Sequence, residues 1–178
     1  MRANPDIFRA YDIRGVYGKD FDAELAFRLG NALAVSWGAK HLVVGRDGRS
    51  SSQELAERVI AGVQAAGASV TWIRQCSAPV FYYAVGASGA DGGIMVTASH
   101  NPGQYNGFKV EQRGATLVGG SELKGILDTT EPALGGSGAV RQRDFTLSYA
   151  EKIVAISGIS GPSTIVGVRA PLPVAQTI

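Results

Sequence analysis

The chain has 178 residues, 45% of them apolar and 18% charged, with a formal net charge of +2; this is enough for one well-cored domain, too short for two, and too apolar for disorder. No Lys/Arg run or basic stripe interleaved with aromatics is present, so nucleic acid is not an expected partner. The single cysteine, Cys76, excludes an internal disulfide framework and reads as a small buried hydrophobe in a reducing compartment.

The first predicted element is a helix over residues 22–37. Leu25, Leu29, Leu33 and Trp37 fall at four-residue steps on one face, with Asp22 as cap and Gly38 as stop. His41-Leu42-Val43-Val44 is a buried strand that opens into the polar loop Gly45-Arg46-Asp47-Gly48-Arg49. A helix from Ser52 to Ala66 carries Leu55, Val59, Ile60 and Val63 on one side and ends at Gly67, and Ser69 to Ile73 is the next strand. Strand, helix and strand in this order make a crossover unit with parallel neighbours, so the class is α/β. A helical stretch from Val80 to Val85 then leads to the buried strand Gly93-Ile94-Met95-Val96-Thr97. Phe108 to Val118 reads as a hairpin, and Ser121–Leu127 and Phe145–Ile156 as two further helices. Thr129 to Gly138 has the composition of a surface loop.

From Gly158 the stretch Ile159-Ser160-Gly161-Pro162 reads as a linker, and Thr164 to Val168 begins a strand that Pro171 and Pro173 cut short. The expected organisation is one domain over 1–157, with 158–178 a linker and the truncated or aberrant start of another. The opening residues lack a secretory-type apolar stretch, and no segment nears the roughly 20 apolar residues that span a bilayer. The expectation is a cytoplasmic protein without a membrane partner.

Chemistry concentrates in Thr97-Ala98-Ser99-His100-Asn101-Pro102, followed by Tyr105-Asn106-Gly107-Phe108-Lys109. Loops that leave the carboxyl ends of strands are where open α/β sheets bind ligands. Ser99, held by the Asn101-Pro102 turn, presents a hydroxyl there; His100 and Lys109 supply proton transfer and positive charge beside it, a group suited to phosphate. Taken alone, Ser-His-Asn-Pro is also the sequence of a capped turn. A hydrolase triad is disfavoured, because adjacent side chains diverge in extended backbone and no glycine-flanked nucleophile elbow is present.

This stretch resembles the active-serine loop of the phosphohexomutases, the phosphomannomutase/phosphoglucomutase family. Phe8-Arg9-Ala10-Tyr11-Asp12-Ile13-Arg14-Gly15 is similar to that family's amino-terminal motif, and Val44-Gly45-Arg46-Asp47-Gly48-Arg49 to its second. The resemblance covers about residues 7 to 156. Ser77-Ala78-Pro79 stands where the family has a Thr-Pro pair, and Gly103-Gln104 replaces Pro-Asp; neither change removes a catalytic group.

The resemblance implies a three-layer α/β/α domain I with a mixed, mostly parallel sheet. It implies that Ser99 is stored as phosphoserine and exchanges its phosphoryl group with a hexose phosphate through a hexose 1,6-bisphosphate. It further implies Mg2+ on the phosphate of Ser99, with the remaining ligands on a second domain. Arg14 and Lys109 match positions beside the transferring phosphoryl, His100 a histidine supporting the loop, and Tyr11 a substrate contact. Asn101, Pro102, Asn106, Arg46 and Arg49 fall to supporting roles, the two arginines organising the neighbouring loop.

The family's Asp-Gly-Asp-Gly-Asp metal loop and its sugar-discriminating loop are absent from these 178 residues. The chain alone is therefore expected to turn over no hexose phosphate, and the particular sugar is not legible. The competing expectation is a non-catalytic binding or interaction module that keeps the domain fold and pairs with other mutase domains.

Overall fold

The computed structural model describes residues 4–114 and 116–158; the linker and strand expected beyond Gly158 lie outside them. After a short 3-10 turn, Pro5–Ile7, the elements in chain order are β1 (Ile13–Val16), α1 (Ala23–Ser36), β2 (His41–Arg46), α2 (Ser52–Ala65), β3 (Ser69–Gln75) and α3 (Ala78–Ser88). They continue with β4 (Gly92–Val96), β5 (Tyr105–Gln112), β6 (Thr116–Val118), α4 (Gly120–Thr129), β7 (Val140–Gln142) and α5 (Thr146–Ser157).

The strands form one sheet in the order β1-β5-β4-β2-β3-β7, with β6 also on β5. β4, β2, β3 and β7 are mutually parallel neighbours. β5 runs against β4, and β1 and β6 each run against β5. Six strands therefore point one way and β5 alone is reversed, which is the mixed, mostly parallel sheet expected.

Alternation along the strands supplies both faces. Leu42 and Val44 of β2 and Ile94 and Val96 of β4 join Leu29 and Leu33 of α1, Leu55 and Val59 of α2, and Leu123 of α4 in one core. Val43 and Met95 point the other way, onto Val80, Phe81 and Val85 of α3 and Phe145 before α5. Helices thus cover both sides and the architecture has three layers.

Two close approaches hold α1 on α2. A Cβ at Gly62 would lie 2.0 Å from the Phe27 carbonyl oxygen, and one at Gly30 would lie 2.3 Å from that of Val59. The buried Asn31 side chain donates to the Gly62 carbonyl at 3.0 Å and to the Ala133 carbonyl at 2.7 Å, and accepts from the Ala133 N–H at 3.1 Å. The Thr129–Gly138 loop is thus exposed over much of its length yet strapped to the helical layer.

The α1, α2 and α4 regions, the hairpin and the last helix fall where the sequence places them. The third helix is longer than its apolar run, because Pro79 in its first turn loses no hydrogen bond there and Gly89, at φ +65°, ends it. β1 and β7 were not expected. β7 is exposed at all three residues, so no apolar alternation announces it.

Candidate active site

β2 feeds α2 and then β3 on one side, whereas β3 feeds α3 and then β4 on the other side of β2. The chain reverses its lateral direction between β2 and β4, and the crevice at their carboxyl ends is a topological switch point. Two loops meet there: Asp47–Ser51 after β2 and Thr97–Gln104 after β4.

Ser99 sits exposed at φ +56°, one of two non-glycine residues with positive φ among those described. An L-residue pays strain in that region, and such strain persists only where the surroundings over-determine it. Here the determinants are explicit. The Ser99 N–H donates to Thr97 Oγ1 at 2.9 Å, and the Thr97 hydroxyl donates to Asp47 Oδ2 at 2.7 Å. Arg49, only 6% exposed, donates to the carbonyl oxygens of Ser99 (2.8 Å), Asn101 (2.7 Å), Pro102 (2.7 Å) and Tyr105 (3.0 Å). Its Nε bonds Asp47 at 3.0 Å, and Asp47 also accepts from Ser52 Oγ at 2.6 Å. One guanidinium thus gathers the inward carbonyls of the serine loop and leaves the hydroxyl outside.

β5 returns along β4 and carries Lys109 opposite Met95, while β1 pairs Arg14 with Gly107. A Cβ at residue 107 would lie 1.9 Å from the Ile13 carbonyl, so glycine lets β1 close on β5. Arg14 and Lys109 converge on Asp12, whose Oδ2 is 2.5 Å from Arg14 Nη2 and 3.3 Å from Lys109 Nζ. Arg14 Nη1 also donates to Asn101 Oδ1 at 2.6 Å, tying β1 to the serine loop. Arg14 Nε is buried without a hydrogen-bond partner among the described residues.

Two cavities flank this junction. The first, about 510 Å3, is lined by Tyr11, Asp12, Arg14, His100, Asn101 and Lys109 together with Arg9, Ala10 and Tyr105. The second, about 560 Å3, contains Ser99, His100, Lys109, Thr97, Asp47 and Arg49 together with Cys76. His100 and Lys109 belong to both, so Ser99 lies on one side of that ridge and Tyr11 and Arg14 on the other. Burial pushes the Cys76 thiol up to about 11, so it stays a protonated thiol at neutral pH.

Asn106 is fully buried, and its side-chain amide donates to Ser51 Oγ (2.8 Å) and Ser52 Oγ (2.9 Å), fastening β5 to the start of α2. Pro102 supplies one of the carbonyls held by Arg49. Arg46 turns away from Ser99, donating to the Asp47 carbonyl and to Gln75 Oε1. Sequence reasoning missed Asp12, Asp47 and Thr97 as organisers. Asp12 and Asp47 lie inside the quoted motifs, and a carboxylate between cations was the available signal.

The resemblance implies magnesium. Among the described residues no three His, Cys, Asp or Glu side chains converge. The two nearby carboxylates are engaged, Asp12 by Arg14 and Lys109, and Asp47 by Arg49, Ser52 and Thr97. The residues present do not form a magnesium site by themselves.

Fold and site together define a three-layer α/β/α domain that presents a strained serine among cations at the switch point of its sheet. The chain belongs to the phosphoglucomutase/phosphomannomutase family: residues 5–133 match its alpha/beta/alpha domain I. It is 36% identical over 166 residues to a phosphoglucomutase of Neisseria meningitidis serogroup B, covering 90% of this chain and 36% of that protein. To a phosphomannomutase/phosphoglucomutase of Pseudomonas aeruginosa it is 38% identical over 152 residues, covering 83% and 33%. A crystal structure of a phosphoglucomutase/phosphomannomutase family protein from Burkholderia thailandensis superposes with a TM-score of 0.77 at 38% identity, over 86% of this chain and 36% of that one. The structure of a putative phosphomannomutase from Thermus thermophilus gives 0.71 at 29%, over 87% and 38%. The chain thus spans about a third of the length of these relatives. No helix among the described residues is long and apolar enough to cross a membrane.

Proposed function

We propose that Ser99 is a phosphoryl carrier in the interconversion of hexose 1-phosphate and hexose 6-phosphate through a hexose 1,6-bisphosphate. The observation that carries this reading is the strained, exposed Ser99 hydroxyl on a loop whose carbonyls are drawn inward by Arg49. As the Ser99 Oγ–phosphorus bond forms, the phosphorus–oxygen bond to the sugar breaks. The serine proton passes to the departing sugar oxygen, with His100 as the relay. Lys109 and Arg14, whose Nε has no partner, hold charge on the phosphoryl oxygens, and Tyr11 faces the sugar. The magnesium that the family implies would sit on the Ser99 phosphate, neutralise part of its charge, and need further ligands beyond the residues described.

With about a third of its relatives' length, the chain is inferred to carry the phosphoserine but not to complete turnover alone. A coupled assay for glucose 6-phosphate formed from the 1-phosphate should stay at background. Intact-mass measurement of the purified chain, before and after incubation with glucose 1,6-bisphosphate and magnesium, tests the carrier role. One added phosphoryl that maps to Ser99 and is lost in Ser99→Ala is expected, and a chain that is never phosphorylated overturns it. That second result is what the module reading predicts. The exposed Leu147, Ile153, Val154 and Ile156 of α5 favour other mutase domains as partners in either case.

A further inference from the structure

Apart from the serine loop, the carboxyl ends of β2, β3 and β7 border an open cavity of about 370 Å3 lined by Arg46, Arg74 and Arg143 with Gln75, Gln142 and Asp144, all but Arg46 of them exposed. None of the three arginines forms an ion pair among the described residues. Arg46 Nε is buried and has no hydrogen-bond partner among the described residues. Arg143 is seated over the Phe145 ring at 4.5 Å, and Arg74 is held at φ +59°, where a side chain carries strain. The one carboxylate, Asp144, accepts from the Thr146 N–H at 2.8 Å. Asp144 is thereby tied to the start of α5, which leaves three cations against a single anion.

We propose that this cavity binds a small phosphate-bearing anion, at a site separate from Ser99. Guanidinium forks match the spacing of phosphate oxygens and keep their charge at any physiological pH. The volume falls within the range of small-ligand sites, and the carboxyl ends of parallel strands are where such sites form. Two of the three cations lie outside the motifs shared with the serine loop, Arg74 on β3 and Arg143 just after β7, so the site does not depend on the carrier role of Ser99.

The test is titration of the whole chain with pyrophosphate at physiological ionic strength, followed by amide NMR. Saturable shifts are expected at Arg74, Gln75 and Arg143. The double variant Arg74→Gly, Arg143→Val should weaken them roughly tenfold or more, while Arg14→Gln leaves them in place. Glycine suits the backbone at position 74, so the variant keeps its fold. Shifts confined to Ser99–Lys109, or an affinity unchanged in the double variant, overturn the proposal.

Discussion

Replacing Arg49 by alanine tests whether one side chain sets the serine loop. Arg49 is 6% exposed, bonds three carbonyls of the loop and that of Tyr105 at the start of β5, and is paired with Asp47. Its removal takes the guanidinium from the Ser99, Asn101 and Tyr105 carbonyls and the counter-charge from Asp47, while the Pro102 carbonyl keeps the Tyr105 N–H and Asp47 keeps the Ser52 and Thr97 hydroxyls. Each charge-assisted bond is worth about 1.5–3 kcal/mol, but the acceptors share one donor group and relax together, so the losses do not add. Breaking a buried pair costs about 3–5 kcal/mol, and that is the expected destabilisation. With a urea slope of about 2 kcal/mol per molar, the unfolding midpoint should fall by about 1.5–2.5 M. Arg49→Lys keeps the charge without the planar fork and should still lose about 2 kcal/mol. Amide exchange adds a local readout: the Ser99, Asn101 and Tyr105 N–H groups bond within the loop and should lose protection beyond the global change. A midpoint within about 0.5 M of the parent, or loop amides that exchange only by global unfolding, would refute the reasoning.

Other consequences are as direct. Glu111 is 2% exposed with Oε2 unpartnered among the described residues, and burial lifts its carboxyl from 4.5 to about 7. The folded state holds this proton more tightly than the unfolded, so stability is unaffected below about 4.5 and declines as pH rises through 7. The decline is on the order of 2 kcal/mol after allowance for screening; Glu111→Gln should flatten that part of the pH–stability curve, and an unchanged curve would contradict the assignment. Gly62→Ala should destabilise by about 1–3 kcal/mol despite alanine's better helix propensity, since its Cβ meets a carbonyl of α1; a neutral effect on the melting midpoint would mean that the helices separate freely. Arg74→Gly should stabilise by about 0.5–1 kcal/mol, by relieving positive φ, and a lowered urea midpoint would show that the side chain contributes more than its strain costs.

The core was legible because its signals are local. Leu25, Leu29 and Leu33 mark a helix by spacing, and Gly93–Thr97 is continuous apolar sequence of strand length. β1 and β7 were not legible, because a strand of three or four residues at a sheet edge is decided by what it pairs with. The serine loop was found through Ser99, His100 and Lys109. The part that holds it, Arg49 reaching across from the β2 loop to four carbonyls, leaves no pattern in sequence, since backbone oxygens carry no residue identity. Arg46 shows the same limit from the other side. Standing three residues from Arg49 in one motif, it faces a different cavity, because a strand end sends nearby side chains to opposite faces.

Asp12 explains how Arg14 and Lys109 stay together. Two cations on the same ridge repel, and each is about four-fifths buried, with side-chain exposures of 18% and 20%. A carboxylate 8% exposed between them offsets that repulsion. The neutralisation is incomplete: two positive charges face one negative, Arg14 Nε has no acceptor, and an ammonium that donates once to Asp12 keeps two N–H groups free. A phosphoryl group bringing about −1.5 to −2 charges can therefore bind both cations without displacing Asp12. On the proposed reading, the ridge is pre-organised for the phosphorylated serine, and its geometry need not rebuild when the group arrives or leaves.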